Sequence, residues 1–277
     1  MGDSNKSMTA VSQVSATISE KTVVALEARL NGCQNVVTLG VRPNFTDYTE
    51  QEAALIREAD KIYYPSAYYA DMFQAMGKKT FPSIHTYRFV QDKIKQTTLF
   101  QLLEVPSPRT RFFYGRHKAE KILEHFEYPF VAKIPRGSAL GRGVYLVRCP
   151  AELQWYCEIS KVAYIQDYLP IDRDIRVVVI GDQVAHAYWR VAGAGEFRNN
   201  IEQGGEIRLD GIPAKARALA LETAGRCGWN DVGLDICFYD GSYYVLEANM
   251  KYGKQGFQKA GIDYLKLMEA MIRDGKI

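Results

Sequence analysis

Two carboxylates and one amide lie in a segment near the end of the chain that is predicted to form a β-hairpin. Residues 233–249 read GLDICFYDGSYYVLEAN, in which an Asp-Gly pair is flanked by alternating polar and apolar residues. Asp235 precedes the turn, and Glu247 and Asn249 follow it. Carboxylates that face each other across strands repel unless a cation or proton lies between them, and oxygen ligands of this kind suit Mg²⁺. The segment therefore predicts a magnesium site, and the alternative is a solvated polar face.

The length of the turn decides whether the two carboxylates meet. A two-residue turn would place Asp235 opposite Leu246 and mix polar and core residues on both faces. A three-residue loop at 240–242 places Asp235 opposite Glu247, because a slip of one residue moves every side chain to the other face. We expect the three-residue loop, since it makes the opposite face apolar. That face would hold Leu234, Ile236, Phe238, Tyr244, Leu246 and Ala248.

A lysine and a glycine-rich loop follow each other in the segment FVAKIPRGSALGRGV. Lys133 lies on a largely apolar predicted strand, where an ammonium group needs an anion or an exit to solvent. The loop after it could bring backbone amides close to phosphate oxygens. It contains Gly137, Ser138, Gly141 and Gly143. The spacing matches neither the P-loop nor the dinucleotide-binding pattern, so a phosphate site and a mobile turn both stay open here.

Cationic and amide side chains elsewhere add weaker signals. Lys93 follows Asp92 at the start of a predicted helix, where a surface lysine is the simplest interpretation. A loop further along contains Arg198, Asn199 and Asn200. A guanidinium group there could bind phosphate through two parallel hydrogen bonds, or it could simply be solvated. None of these residues identifies a function by itself.

The composition excludes several classes of protein. The 277 residues include 35 Lys and Arg against 32 Asp and Glu, a formal charge of +3, which does not indicate a nucleic-acid or membrane partner. No apolar run approaches the ~18 residues that span a bilayer. The five cysteines form no C-x-x-C pair, and the four histidines lack metal-binding spacing. We expect a cytoplasmic protein in which residues 1–20 form a disordered tail. The sequence leaves open whether the protein forms a homo-oligomer.

Taken in order along the chain, these residues resemble the ATP-grasp superfamily and most closely its RimK-like carboxylate-amine ligases. The resemblance covers roughly residues 55–272. The matching segments are Asp92-Lys93, Lys133 with the glycine-rich loop, QDYL at 166–169, DIR at 174–176, GEFRNN at 195–200 with Gly204-Gly205, GLDI at 233–236 and EAN at 247–249.

The resemblance implies an ATP-grasp fold of the α/β class. A short N-terminal α/β pre-domain would comprise residues 21–105 and end at an inter-domain joint, where Pro106 and Pro108 stop the preceding helix. Two α+β lobes would clamp ATP between them. The lid lobe would comprise residues 106–165 and the metal-binding lobe residues 166–277.

The resemblance also implies a site for ATP and Mg²⁺, with two ions expected and Mn²⁺ as an alternative ion. Adenine would lie at the hinge formed by Gln166, Asp167 and Tyr168, and the ribose hydroxyls would bind Asp174. Lys93 and Lys133 would contact the phosphates or the edge of adenine. The other residues implied to bind the nucleotide near its phosphates are Gly137, Ser138, Gly141, Gly143, Arg198, Asn199 and Asn200. The implied magnesium ligands are Asp235, Glu247 and Asn249, the three residues that the hairpin argument reached separately.

The reaction that the resemblance implies joins a carboxylate to an amine. The substrate carboxylate would attack the γ-phosphate of ATP to give an acyl phosphate, and the amine would then displace phosphate, while Lys133 and Arg198 neutralise developing charge as catalytic residues. The partners would be a small-molecule or peptide carboxylate and an amine or amino acid. Two alternatives stay open: a catalytically silent ATP-binding regulatory or scaffold module, and a kinase that stops at the phosphorylated product.

The chain departs from the RimK-like pattern directly after Asn249. The pattern commonly continues with small residues and Pro-Gly, whereas this chain continues with MKYGKQG at 250–256. We predict that Lys251 or Lys254 contacts an anionic group of the substrate. The alternative is a solvated loop.

Overall fold

The structure is a computed structural model that describes residues 22–137, 143–193 and 205–277. The tail expected at residues 1–20 lies outside these ranges. The described residues divide into two compact units, one ending at Phe81 and one beginning at Pro82.

The first unit is a parallel β-sheet with its connecting helices. Its strands are β1 (Val23–Ala25), β2 (Val36–Thr38), β3 (Lys61–Tyr63) and β4 (Lys79–Phe81), and its α-helices are α1 (Glu50–Glu58) and α2 (Ser66–Ala75). The strand order is β2-β1-β3-β4. Thr49 and Glu52 form a capping box that starts α1, and Ile56 on that helix packs with Val24 and Ile62 of the sheet. This arrangement agrees with the short α/β unit expected from the sequence.

The second unit begins with two helices and an antiparallel sheet. These elements are α3 (Ile84–Arg88), α4 (Lys93–Leu102), β5 (Thr110–Phe113), α5 (Lys118–Leu123), β6 (Phe130–Lys133), β7 (Val144–Val147), α6 (Pro150–Ile159) and β8 (Ala163–Asp167). The sheet has the order β5-β8-β6-β7. Phe130 and Ala132 of β6 point into a core with Tyr156 of α6, so Lys133 ends a strand that is anchored on one face by apolar packing.

A five-stranded sheet forms the rest of the second unit. Its elements are β9 (Arg173–Ile180), β10 (Gln183–Val191), β11 (Glu206–Arg208), α7 (Ala214–Cys227), β12 (Asp231–Tyr239), β13 (Ser242–Asn249), α8 (Gln255–Lys259) and α9 (Tyr264–Arg273). The order is β11-β10-β9-β12-β13, with antiparallel neighbours. Ala216, Ala220 and Ala224 of α7 cover one face of this sheet. The opposite face carries the charged residues described below.

The first compact unit ends at Phe81, and the domain boundary expected near residue 105 stays a prediction. Two prolines follow α4. Phe100 of this helix and Val105 after it are buried in the same core as Ile175 and Val177 of β9. The helix that carries Lys93 therefore belongs to the core of the five-stranded sheet. The extents of the lid and metal-binding lobes stay predictions.

Two further observations concern the environment of the chain. Among the described residues, no helix combines the length and apolar character that crossing a bilayer requires. All five cysteines are free thiols, which agrees with the absence of a disulfide pattern in the sequence.

Candidate active site

The hairpin of β12 and β13 brings Asp235 opposite Glu247, as expected, but by a different route. Asp240 and Gly241 form a two-residue turn with φ of 45° and 77°, and the strands close on the pair Tyr239 and Ser242. The predicted three-residue loop is therefore wrong. A β-bulge between the pairs of Asp235 and Ile236 restores the register, because Ile236 pairs with Val245 rather than with Leu246.

The bulge also changes which side chains share a face. Val245 is buried in the core, and Tyr243 packs against the same core. These two residues therefore lie on the apolar face of the hairpin, where we expected Tyr244 and Leu246. Leu246 instead lines a cavity that contains Lys93 and Lys133. A single extra residue thus places a leucine in the candidate site.

Asp235 is buried, and two arginines bind its carboxylate. Arg176 donates from Nε to Oδ1 and from a terminal nitrogen to Oδ2, the latter at 3.0 Å. A terminal nitrogen of Arg190 lies 2.9 Å from Oδ2 of Asp235. Arg190 also donates to both carboxylate oxygens of Asp174, at 2.7 and 2.8 Å. We refer to Asp174, Arg176, Arg190 and Asp235 as the buried charge cluster.

Burial and ion pairing shift the two aspartates of this cluster in opposite directions. Burial acts to raise the pKa of Asp235, but the guanidinium groups of Arg176 and Arg190 outweigh it and hold this pKa below its usual value. Burial dominates for Asp174 and raises its pKa, although Arg190 opposes the shift. Asp235 is therefore the more firmly ionised carboxylate of the cluster.

The register of three strands and one glycine build the cluster. Asp235 on β12 pairs with Arg176 on β9, and Asp174 on β9 pairs with Arg190 on β10. A Cβ atom at Gly233 would lie 2.9 Å from Cδ of Arg176, which glycine avoids. Sequence reasoning did not assign Arg176 or Arg190 to the site. The sequence did contain a signal for both arginines, because a charged side chain on an apolar strand needs a buried partner. The same argument was applied to Lys133.

Lys93 lies at the start of α4 and pairs with Glu247. Its ammonium group is 3.3 Å from Oε1 of Glu247, and its side chain is almost fully buried. Asp92 caps the helix by accepting from the backbone N–H of Lys95 and also pairs with Arg136 at 3.0 Å. These contacts tie the start of α4 to the end of β6, which carries Lys133.

Lys133 is also buried, with 6% of its surface exposed. Its ammonium group lies 5.5 Å from the ring centroid of Tyr164, whose hydroxyl is 2.8 Å from Oγ1 of Thr97 on α4. Burial lowers the pKa of Lys133 to about 8, and Glu247 opposes this shift while Lys93 adds to it. Near neutral pH this lysine is mostly charged, and a buried ammonium group favours an anionic ligand beside it.

A dependence of ATP binding on pH follows from this pKa. We expect the affinity for ATP with Mg²⁺ to fall as pH rises above about 8, by at most tenfold per pH unit, because the free protein then loses the charge of Lys133. Titration calorimetry from pH 7 to 9.5 with a non-hydrolysable ATP analogue measures this effect. Lys133→Arg keeps its charge throughout and should flatten the profile. An unaltered profile in this variant would show that another group causes the dependence.

Two adjoining cavities meet at the pair formed by Lys93 and Glu247. The first cavity is lined by Lys93, Gln96, Thr97, Phe100, Lys133, Tyr164, Leu246 and Glu247. The second cavity is lined by Val90, Gln91, Lys93, Gln96, Glu247, Ala248, Asn249, Met250 and Lys251. Lys93, Gln96 and Glu247 belong to both walls. A ligand group that contacts the Lys93–Glu247 pair would therefore lie at the wall of both cavities.

The hinge and loop residues predicted to bind nucleotide have other surroundings. The amide nitrogen of Gln166 donates to Oγ1 of Thr110 inside the sheet, at 2.9 Å. Asp167 pairs with Arg109 at 2.8 Å near the surface, and Tyr168 directly follows β8. Gly137 and Gly143 have φ of +67° and +70°, which glycine adopts readily. The nucleotide-binding roles of these residues, and the ribose contact of Asp174, stay predictions.

Some of the predicted site residues cannot be located. Ser138, Gly141, Arg198, Asn199 and Asn200 lie outside the described residues. Their roles toward the phosphates stay predictions as well.

The three predicted magnesium ligands already have partners in the structure, and their role toward the ion stays a prediction. Within the described ranges, no three His, Cys, Asp or Glu side chains cluster closely enough to hold a metal. The amide nitrogen of Asn249 donates to Asp235 at 3.1 Å, and Glu247 contacts Lys93. The oxygen donors are of the right kind, but cationic side chains already neutralise both carboxylates. Because magnesium commonly combines one or two carboxylates with substrate phosphates, a nucleotide would supply the missing negative charge.

Curated relatives with similar sequences are named as glutamate ligases. The chain is 28% identical over 198 residues to a probable alpha-L-glutamate ligase of Haemophilus influenzae, covering 69% of this chain and 65% of that protein. It is 26% identical over 240 residues to the coenzyme gamma-F420-2:alpha-L-glutamate ligase of Methanocaldococcus jannaschii, covering 83% of each. These names agree with the expected class, an ATP-dependent ligase that forms carbon–nitrogen bonds.

Solved structures share the fold. The ATP-grasp ligase PsnB, complexed with a minimal precursor, Mg and ADP, has a TM-score of 0.69 at 18% identity, covering 93% of this chain and 99% of that chain. The predicted ATP-grasp fold is thereby confirmed. The model of the RimK-like ATP-grasp domain matches residues 90–272, more than half of the sequence. The chain belongs to the RimK-like ATP-grasp family.

Proposed function

We propose that this protein is an ATP-dependent ligase that forms an amide bond between a carboxylate and an amine. The observation that carries the proposal is the junction of two cavities at Glu247 and Lys93, with Lys133 on one side. Family membership and the glutamate ligase names of the relatives support the same reaction class.

In this proposal, the first cavity and its surroundings bind the ATP phosphates. Lys133 and Lys93 donate hydrogen bonds to phosphate oxygens and neutralise charge that moves toward the leaving ADP. The ring of Tyr164 lies beside the ammonium group of Lys133, and burial raises the pKa of Tyr164 to about 12. The hydroxyl therefore stays protonated and keeps its hydrogen bond to Thr97, which holds the ring in place.

The substrate carboxylate attacks the γ-phosphorus, and the bond to the β,γ-bridging oxygen breaks to give an acyl phosphate and ADP. The amine then attacks the acyl carbon, loses a proton and displaces phosphate. Glu247, Asn249 and Asp235 would hold magnesium, which supplies positive charge to the phosphates when bound. Arg198 would be a further cation at the phosphates. Two magnesium ions would bind, for which Mn²⁺ could substitute, and residues 166–168 would form the hinge beside the nucleotide.

The first amine to test is L-glutamate, which the names of the relatives contain. The first carboxylates to test are peptides and small molecules, since the PsnB structure contains a precursor. We also propose a cytoplasmic location, which the five free thiols support.

The experiment that tests the function measures magnesium-dependent ADP release over a panel of carboxylates, each with and without an amine. We expect release that depends on both partners, with the amide product detected by mass spectrometry. Release with the carboxylate alone and an accumulated phosphorylated product would favour the kinase alternative. ATP binding without turnover across the panel would favour the regulatory or scaffold alternative.

Metal binding gives a separate prediction. We expect the protein alone to bind Mn²⁺ weakly, because cations already pair with Asp235 and Glu247. Adding ADP should lower the Kd for Mn²⁺ at least about tenfold, because the phosphates supply negative charge. Electron paramagnetic resonance of Mn²⁺ measures this without any turnover, with Mn²⁺ and ADP alone as the reference. Tight binding of Mn²⁺ in the absence of nucleotide would contradict the charge argument.

A further inference from the structure

The second cavity shares Lys93, Gln96 and Glu247 with the first, which Lys133 lines. The polar residues that line it are Gln91, Gln96 and Asn249, together with Lys93 and Lys251. Its single carboxylate, from Glu247, already contacts Lys93 at 3.3 Å. The described wall therefore contains two lysines and one glutamate. Such a wall favours a ligand with a carboxylate group.

The structure distinguishes between the two lysines that the sequence singled out. The ammonium group of Lys254 lies 4.4 Å from the ring centroid of Tyr264, at the start of α9. Lys251 is exposed and belongs to the cavity wall, two residues after Asn249. Of the two candidates, Lys251 is the one that borders the junction of the cavities.

Buried neighbours on both sides fix the backbone at Lys251. Met250 is buried and its sulfur lies 3.7 Å from the amide nitrogen of Gln96. Tyr252 is buried and donates a hydrogen bond of 2.6 Å to Asp231. Because the side chains before and after it are anchored in the protein, the position of Lys251 at the cavity is set by the fold. Binding a ligand would therefore order the Lys251 side chain but not its backbone.

We propose that Lys251 binds a carboxylate of the substrate that does not itself react, so that the second cavity selects an amino acid or peptide with such a group. This inference rests on the proposed ligase function. The reacting group would lie at the junction beside Glu247, and the second carboxylate would extend toward Lys251. Lys251 is then a specificity-determining residue for this substrate.

The test compares acidic and neutral substrates in the full-length protein. We expect Lys251→Ala to raise the KM for L-glutamate about tenfold, and Lys251→Glu to raise it further, while the KM for ATP stays within twofold. The KM for L-glutamine α-amide, which lacks a free carboxylate, should not change. Lys259→Ala, an exposed lysine on α8, is the charge-matched control. An unchanged KM for L-glutamate in Lys251→Ala, or an equal effect of Lys254→Ala, would overturn the assignment.

A binding measurement separates this inference from the proposed function. Titration calorimetry with L-glutamate and with the dipeptide L-glutamyl-L-glutamate, in the presence of magnesium and a non-hydrolysable ATP analogue, requires no turnover. Binding that Lys251→Ala weakens would support the inference even if the wild-type protein releases no ADP. If neither probe binds the wild-type protein at millimolar concentration, or the variant binds equally well, the inference fails whatever the activity.

Discussion

We expect Glu247→Gln to lower the rate of magnesium-dependent ADP release by at least about 100-fold, because it removes a carboxylate proposed to hold the magnesium whose positive charge would stabilise the transferring phosphoryl group. Glu247 faces Asp235 in the hairpin, contacts Lys93 at 3.3 Å and lines both cavities. Glutamine has nearly the same shape but carries no charge. The substitution therefore tests the carboxylate with little change in packing.

The fold should survive this substitution. The side chain of Glu247 is one-quarter exposed, so solvent can replace part of what the carboxylate provides. Glu222→Gln is the matched control, since Glu222 forms an ion pair of 3.3 Å with Arg226 on the surface of α7. ADP release, near-ultraviolet circular dichroism and the melting temperature are measured on both variants. Turnover of Glu247→Gln within tenfold of the wild-type rate would remove Glu247 from the proposed mechanism.

The pairing of Asp235 with Glu247 could be predicted because alternation along a strand is a local property. The bulge could not be predicted, because it shifts the alternation of one strand by a residue and leaves the same pair opposite. Asp240-Gly241 is in fact typical of a two-residue turn. We expected a longer loop to place Asp235 opposite Glu247. In the structure, an extra residue at Leu246 places them opposite each other instead.

The buried charge cluster could not be predicted because it depends on contacts between distant parts of the chain. Arg176 and Asp235 are separated by 59 positions. They meet only because β9 lies between β10 and β12 in the sheet, and strand order is not visible in the periodicity of any one strand. The helix α4 gives a second example, since prolines mark its end but do not show which core buries Phe100.

A large loss of stability is expected for Asp235→Asn, which removes one charge from the buried cluster. Arg176 and Arg190 would share the single carboxylate of Asp174, and a buried cation would be left without its counter-ion. Breaking a buried pair in this way costs roughly 3–5 kcal/mol. For a unit of this size the melting temperature should fall by on the order of 10 °C. Tryptophan fluorescence reports the transition, because all three tryptophans lie in the second unit.

Asp172→Asn provides the comparison for this prediction. Asp172 pairs with Arg173 at 2.7 Å, but its side chain is 71% exposed, and exposed pairs contribute about 0–1 kcal/mol. The same chemical change at a similar distance should therefore have a small effect. Adding Arg176→Met to Asp235→Asn removes the surplus cation and should recover part of the loss, which a double-mutant cycle measures. If Asp235→Asn is as stable as Asp172→Asn, the two arginines do not depend on Asp235 for their burial, and the cluster is not what holds β9, β10 and β12 in register.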